Sequence, residues 1–251
     1  MKVGNVKSSV SRAVVAASVT VALGLTAACG SDKGSGGDSG GSDDKKSSGQ
    51  QAKQKPAAEK STALSATDLE KAVLAKGDLK GYKVEKMSAA DMPSQTVPAD
   101  PAACQPFADM FMFATQPSSK ARVGRTMTGP DELDATVISL ALLAHEQPDA
   151  EKVMDGLRAA TKKCTAYEHA DSKYRDVAAL PTPKAGDEAV SYKVVGLIEG
   201  QKTPMSFTVV RSGATLAAFY SINLLKPKKF GVPAEIVEAQ VKKLENGDKG
   251  A

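Results

Sequence analysis

Apolar and polar positions divide the 251 residues into three zones: an apolar leader, a polar stretch and a long patterned region. From Thr62 onward, helical and strand periods succeed one another. Thr67-Asp68-Leu69-Glu70 has the form of a capping box, with Leu69, Ala72 and Val73 at helical spacing and Gly77 closing the run. Gly81–Met87 alternates and predicts a strand, with Tyr82 and Val84 on one face. Met92–Pro101 holds three prolines and predicts a loop. Cys104, Phe107, Ala108 and Phe111 recur at i, i+3, i+4 and i+7, which places Cys104 on the apolar face of a short helix. Ala121–Thr128 alternates as far as Gly129-Pro130 and predicts a strand.

Leu133–His145 fits both periods. Leu133, Val137, Leu140, Ala141 and Ala144 suit a helix, while Ile138, Leu140 and Leu142 line one face of a strand. A strand buried on both faces gives the same continuous apolar run. Pro148–Cys164 is the clearest helix, through Ala150, Val153, Met154, Leu157, Thr161 and Cys164, with proline at its start. After Pro183 the pattern is an antiparallel meander. Glu188–Ile198 alternates through Val190, Tyr192, Val194 and Ile198; Met205, Phe207 and Val209 follow; Thr215–Leu225 carries Leu216, Ala218, Tyr220, Ile222 and Leu224 on one face. Gly200-Gln201-Lys202 and Ser212-Gly213 supply the turns, and Pro227–Phe230 breaks the last strand. Ile236, Val237, Val241 and Leu244 mark a final amphipathic helix that Asn246-Gly247 ends.

The leader changes the picture of where such a domain resides. Lys2, Lys7 and Arg12 precede the apolar run Ala13–Cys29. A charged start, an apolar run and small residues before a cysteine make a secretion signal. Leu25-Thr26-Ala27-Ala28-Cys29 resembles the lipobox of bacterial lipoproteins, which implies cleavage after residue 28 and a lipid on Cys29. An ordinary signal peptide and a retained membrane anchor are the alternatives, although the run is short for a span of about 20 residues. Residues 30–61 are rich in Gly, Ser, Asp and Lys and lack aromatic residues. Such a stretch cannot offset its ordering entropy and predicts a disordered tether. The expected organisation is therefore a lipoprotein signal peptide over 1–28, lipidated Cys29 and tether over 29–61, one α+β domain over 62–247 and a tail over 248–251.

Charge excludes one class of partner. Of the net charge of +4, three units belong to the leader and one to the tether, so the patterned region is neutral. A nucleic-acid partner is not expected of a domain without a basic concentration. With Cys29 assigned to lipid, Cys104 and Cys164 form an even pair on two inward faces, in a compartment where disulfides persist. Their bridge would close a loop of about 60 residues, and their spacing does not suit zinc.

Candidate chemistry is sparse. His145 and His169 lie outside any metal or nucleophile spacing and read as surface or strand-end residues. No nucleophile elbow, zinc-protease, P-loop or dinucleotide pattern is present. Asp131, Glu132 and Asp134 cluster without the ligand spacing of a calcium loop. Asp187 and Glu188 are adjacent, which in a strand sends them to opposite faces. Lys226–Lys229 reads as a solvated loop. In Met110–Phe113 the apolar residues exceed one stripe, so some are free to face a cleft. No catalytic residue, metal site or cofactor is expected, and no enzymatic activity.

The order of these features resembles a known family. A helix leads to Asp78-Leu-Lys-Gly-Tyr-Lys-Val84; helices with Cys104 and Cys164 follow; then come Ala185-Gly-Asp-Glu-Ala189 and the hairpin Val209-Val-Arg-Ser-Gly213. This order resembles the extracellular sensor-like domain of mycobacterial PknH-type kinases, also carried by actinobacterial lipoproteins. The resemblance implies an antiparallel sheet with helices packed on one side and a cleft between them, and it favours a strand for Leu133–His145. It implies a sensor-like or ligand-binding role and supplies no catalytic motif. The chain differs in having one candidate disulfide in the domain and no kinase domain. The expectation is a lipid-anchored, extracytoplasmic module for a small or apolar ligand, with a docking module for an envelope protein as the alternative and an enzyme of unknown reaction as the second, disfavoured one.

Overall fold

The computed structural model describes residues 62–93, 95–131, 135–198, 200–223, 225–226 and 231–247. The leader, Cys29, the tether, Glu132–Asp134, Leu224, Pro227–Phe230 and the tail 248–251 lie outside the described residues. The strands are β1 Lys83–Lys86, β2 Ala99–Asp100, β3 Ala121–Thr128, β4 Thr136–Ala144, β5 Tyr167–His169, β6 Ser172–Ala179, β7 Glu188–Ile198, β8 Gln201–Ser212 and β9 Thr215–Asn223. The α-helices are α1 Ala66–Ala72, α2 Gln105–Phe111, α3 Gln147–Lys163 and α4 Ala234–Gly247. All nine strands join one antiparallel sheet in the order β1-β3-β4-β9-β8-β7-β6-β5-β2.

The ambiguous run is a strand. β4 lies between β3 and β9, pairing Ile138 with Met127 on one side and with Ser221 on the other. Its side chains alternate between two cores: Ala141 and Leu143 enter one, while Ile138, Leu140 and Leu142 enter the other. β8 and β9 do the same, with Val209 and Ala218 facing one core and Val210, Ala217 and Phe219 facing the other. A sheet whose central strands are apolar on both faces needs cover on both. The helices accordingly divide, α2 and α3 over one face and α1 and α4 over the other, where one covered side was expected. The α+β class, the antiparallel sheet and the disulfide are as the sequence implied. Each fully buried Leu or Phe in these cores contributes ~1.5–3 kcal/mol.

Two local features differ from the sequence reading. α1 starts two residues before the expected box: Ser65 is its N-cap, accepting from the Asp68 N–H at 3.2 Å and donating to the Asp68 carboxylate at 2.6 Å. Glu70 is thereby free to meet Arg125 at 2.6 Å and Lys86 at 3.1 Å, and the helix gives way to extended backbone at Val73, before Gly77. The hairpin β5–β6 had no sequence signal. Its turn residues, Ala170 and Asp171, have φ of 46° and 58° without a glycine. A register shift between Arg175 and Ala178, with Asp176 at φ 56°, breaks the alternation of β6.

Cys104 caps the start of α2 and Cys164 caps the end of α3. They form a disulfide with Cα atoms 5.2 Å apart, across a sequence separation of 60. The short helix α2 is thus fastened to α3 as well as packed on the sheet.

Candidate functional site

A row of aromatic rings crosses the sheet beneath α2. Tyr192 of β7 pairs with Phe207 of β8, which pairs with Tyr220 of β9. The first two rings stack at 4.9 Å and the next pair at 5.2 Å. Phe107 and Phe111, four residues apart on α2, press onto this row: Phe107 lies 4.1 Å from Tyr192, and Phe111 lies 5.2 Å from both Phe207 and Tyr174. Gly196 faces Tyr174 across the β6–β7 ladder, and a Cβ there would meet Met205 at 2.8 Å and the Tyr174 ring at 3.3 Å. Burial raises the phenol pKa of Tyr220 to about 12 and holds that of Tyr192 well above its ordinary value, so both hydroxyls stay protonated. Phe111 is therefore a packing residue; the cleft-facing member of Met110–Phe113 is Met110.

The other side of α2 faces α3 across a pocket of about 270 Å³. Ala102, Pro106, Met110 and Val153 form apolar walls; Gln105, Asp109 and Thr115 bring polar atoms to it. Gly156 of α3 also lines it, and the nearest atom to a Cβ built there is Pro106 Cγ at 3.7 Å. Asp109 is 2% exposed and accepts from Gln105 Nε2 at 2.7 Å. Burial raises the Asp109 pKa; the Gln105 hydrogen bond and the charge of His169 oppose that rise.

A second, polar chamber of about 170 Å³ adjoins the first, sharing Thr115 and Gln116 with it. Thr96, Ser118, Ser119 and Arg122 complete its polar walls. Arg122 lies in β3, where Val123 and Met127 face the α1–α4 core, so the alternation sends Arg122 to the α2–α3 side. A third hollow, of about 460 Å³, lies at the sheet edge by Asp100, Tyr167 and Lys173. The α2–α3 pocket is the more apolar of these two larger spaces and is walled by two helices.

His145 and His169 are at strand ends as expected, but both are buried, not at the surface. Thr115 Oγ1 and His145 Nε2 lie 3.4 Å apart, the outline of a nucleophile with a base. The arrangement suits that chemistry poorly. Burial lowers the His145 pKa to about 4, and its Nδ1 has no hydrogen-bond partner among the described residues to orient the ring. Both ring nitrogens of His169 are likewise buried without a partner among the described residues. Asp187 and Glu188, expected on opposite faces, converge on one guanidinium: Arg211 donates to Asp187 at 2.9 Å and to Glu188 at 2.5 Å. Asp187 precedes β7 and follows Gly186 at φ 63°, so strand alternation does not govern it. Burial opposes ionisation of Glu188, yet Arg211 and Arg158 hold its pKa below the usual value. Among the described residues, no three His, Cys, Asp or Glu side chains gather to hold a metal. Among them also, no helix is long and apolar enough to cross a membrane.

Sequence reasoning passed over Asp109, Gln105, Thr115, Gly156 and Arg122. One signal was present: Gly156 sits in the middle of the most regular helix. Asp109 lies between buried Ala108 and Met110, and only the tertiary packing around α2 makes all three inaccessible together.

The fold defines an α+β domain with one nine-stranded antiparallel sheet and a pocket between two disulfide-linked helices. Among solved structures, it is similar to the extracellular domain of PknH from Mycobacterium tuberculosis, with 10% identity and a TM-score of 0.45, over 75% of this chain and 98% of that one. It is also similar to the Mycobacterium smegmatis ortholog of Rv0999, with 12% identity and a TM-score of 0.36, over 68% of this chain and 88% of that one. No protein-family model matches the chain, and no curated protein matches it in sequence.

Proposed function

We propose that the chain is a lipid-anchored, extracytoplasmic lipoprotein whose domain is a sensor-like module binding a small or apolar ligand between α2 and α3. The observation that carries this reading is Gly156. Glycine in a helix interior costs ~1 kcal/mol relative to alanine. Here no positive φ and no backbone contact calls for it, and a Cβ would meet Pro106 only at ordinary contact distance. What Gly156 preserves is the apolar pocket it lines. A mostly apolar concavity with a few directed polar groups is the usual form of a small-molecule site. The lipobox supports the anchor, and the buried Cys104–Cys164 bridge supports an oxidising compartment.

Native mass spectrometry of the full-length chain, purified in detergent from its host, tests the reading. Wild type is expected to carry a small-molecule mass that dissociates on activation. Gly156→Leu, whose helix is intrinsically better and whose pocket is filled, is expected to lack it. A bare wild-type mass together with one stoichiometric protein cross-link in cells would replace this reading with protein docking.

A further inference from the structure

Arg122 is set apart from the arginines of the domain that meet carboxylates. Arg125 meets Glu70, and Arg211 meets Asp187 and Glu188. Arg122, half-buried, meets no carboxylate among the described residues. Its guanidinium is held by backbone carbonyls alone: Nη2 donates to Met92 at 2.6 Å, and Nη1 donates to Pro93 at 2.9 Å and reaches Phe113 at 3.5 Å. A guanidinium has five N–H donors. These contacts fix the group in place and leave donors and a whole positive charge at the wall of the polar chamber. The remaining lining there is Ala114 together with hydroxyl and amide groups from Thr96, Thr115, Gln116, Ser118 and Ser119, with no acid among it. Positioned donors around an unneutralised guanidinium suit a carboxylate or phosphate, which arginine can take with two parallel hydrogen bonds. Thr115 and Gln116 wall both chambers, so an acid group at Arg122 is next to the apolar pocket.

We infer that the ligand is a single anionic amphiphile: its apolar body lies between α2 and α3, and its carboxylate or phosphate is held by Arg122. This rests on the pocket reading above and adds the charge of the ligand and the residue that selects it. Arg122 is a specificity residue here, since 1-octanol and octanoate share an apolar body and differ in the group Arg122 would hold.

Calorimetric titration of the full-length chain with octanoate, 1-octanol and octylammonium tests the inference. Wild type is expected to bind octanoate about tenfold or more tightly than 1-octanol, the scale of one charge-assisted contact. Arg122→Met should bring octanoate down to the level of 1-octanol. Because that variant also removes the carbonyl contacts, Ser119→Asp is the second variant. It keeps Arg122 and its bonds, places a competing carboxylate in the chamber, and should remove the same advantage. Equal wild-type affinities for octanoate and 1-octanol, an advantage that survives both variants, or tightest binding of octylammonium would each overturn the anionic subsite. Gly156→Leu separates the two claims: if it weakens octanoate and 1-octanol alike, the pocket stands whatever Arg122 does. If it weakens neither, or if no probe binds wild type, the pocket itself is refuted and the subsite with it.

Discussion

Reduction of the Cys104–Cys164 bridge isolates a single term in the stability of this fold. Both cysteines are buried, with Cys104 0% and Cys164 2% exposed, and reduction leaves two thiols in the core in place of the bridge. The main effect falls on the unfolded chain, which regains the freedom of a loop across a separation of 60 residues. The chain-entropy relation gives about 14 cal/mol/K for such a loop, or ~4 kcal/mol at 25 °C. With a denaturant slope of about 2 kcal/mol/M, the urea midpoint should fall by about 2 M. The melting temperature should fall by roughly 8–16 °C, at 2–4 °C per kcal/mol for a domain of this size. Paired urea titrations of oxidised and reduced protein measure it, and the slope itself should rise because the reduced unfolded chain exposes more surface. Coincident transitions would refute the reasoning, since they would mean that the bridge constrains nothing in the unfolded ensemble. The same bridge ties the N-cap of α2 to the C-cap of α3, so octanoate affinity should weaken on reduction while the protein remains folded.

The remaining expectations concern titration, backbone conformation and location. Burial holds the His145 pKa down to about 4 against an ordinary 6.5, so the unfolded chain takes up that proton first as pH falls. Stability should therefore decline between about pH 6.5 and about 4, by ~3 kcal/mol, in urea midpoints read against pH. His145→Gln should be flat across that window, and a parallel decline in the variant would sink the assignment. Gly186 has φ 63° and a Cβ there would lie 2.3 Å from the Arg211 carbonyl oxygen, whereas Gly200, at φ 77°, has open space. Thermal unfolding should show Gly186→Ala losing more than the ~1–2 kcal/mol of left-handed strain, and Gly200→Ala losing about that strain alone; equal losses would contradict the contact argument. Cys29→Ser should move the protein from the membrane fraction to the soluble fraction after secretion, and a variant that stays with the membrane would remove the lipid anchor.

Much of the fold was legible because periodicity is local. The 3.6-residue recurrence through Val153, Leu157 and Cys164 described α3, and the alternation through Tyr192 and Phe207 described β7 and β8. The hairpin β5–β6 was not legible because Ala170, Asp171 and Asp176 hold positive φ without glycine, and the bulge interrupts the two-residue period. The start of α1 was misplaced because Ser65-Asp68 and Thr67-Glu70 both satisfy the capping pattern; Arg125, arriving from β3, takes Glu70 away from the cap. A strand such as β4, apolar on both faces, announces that it is buried but not which helices cover it, and the division of helices between two faces follows from the whole sheet.

The sequence by itself determined the elements that repeat within one segment, the neutrality of the patterned region and the pairing of two inward cysteines. Each of these depends on neighbours a few residues away, or on simple counting. The tertiary structure alone decided the pocket. Pro106 and Gly156, and Asp109 and His169, come together only when α2 and α3 lie over the sheet. Cavities are defined by what long-range packing leaves unfilled, and no local period records that. Arg122 shows the difference: in the chain it is a polar position of an ordinary strand, and in the fold it is a fixed positive charge at the wall of a polar chamber that adjoins the apolar pocket.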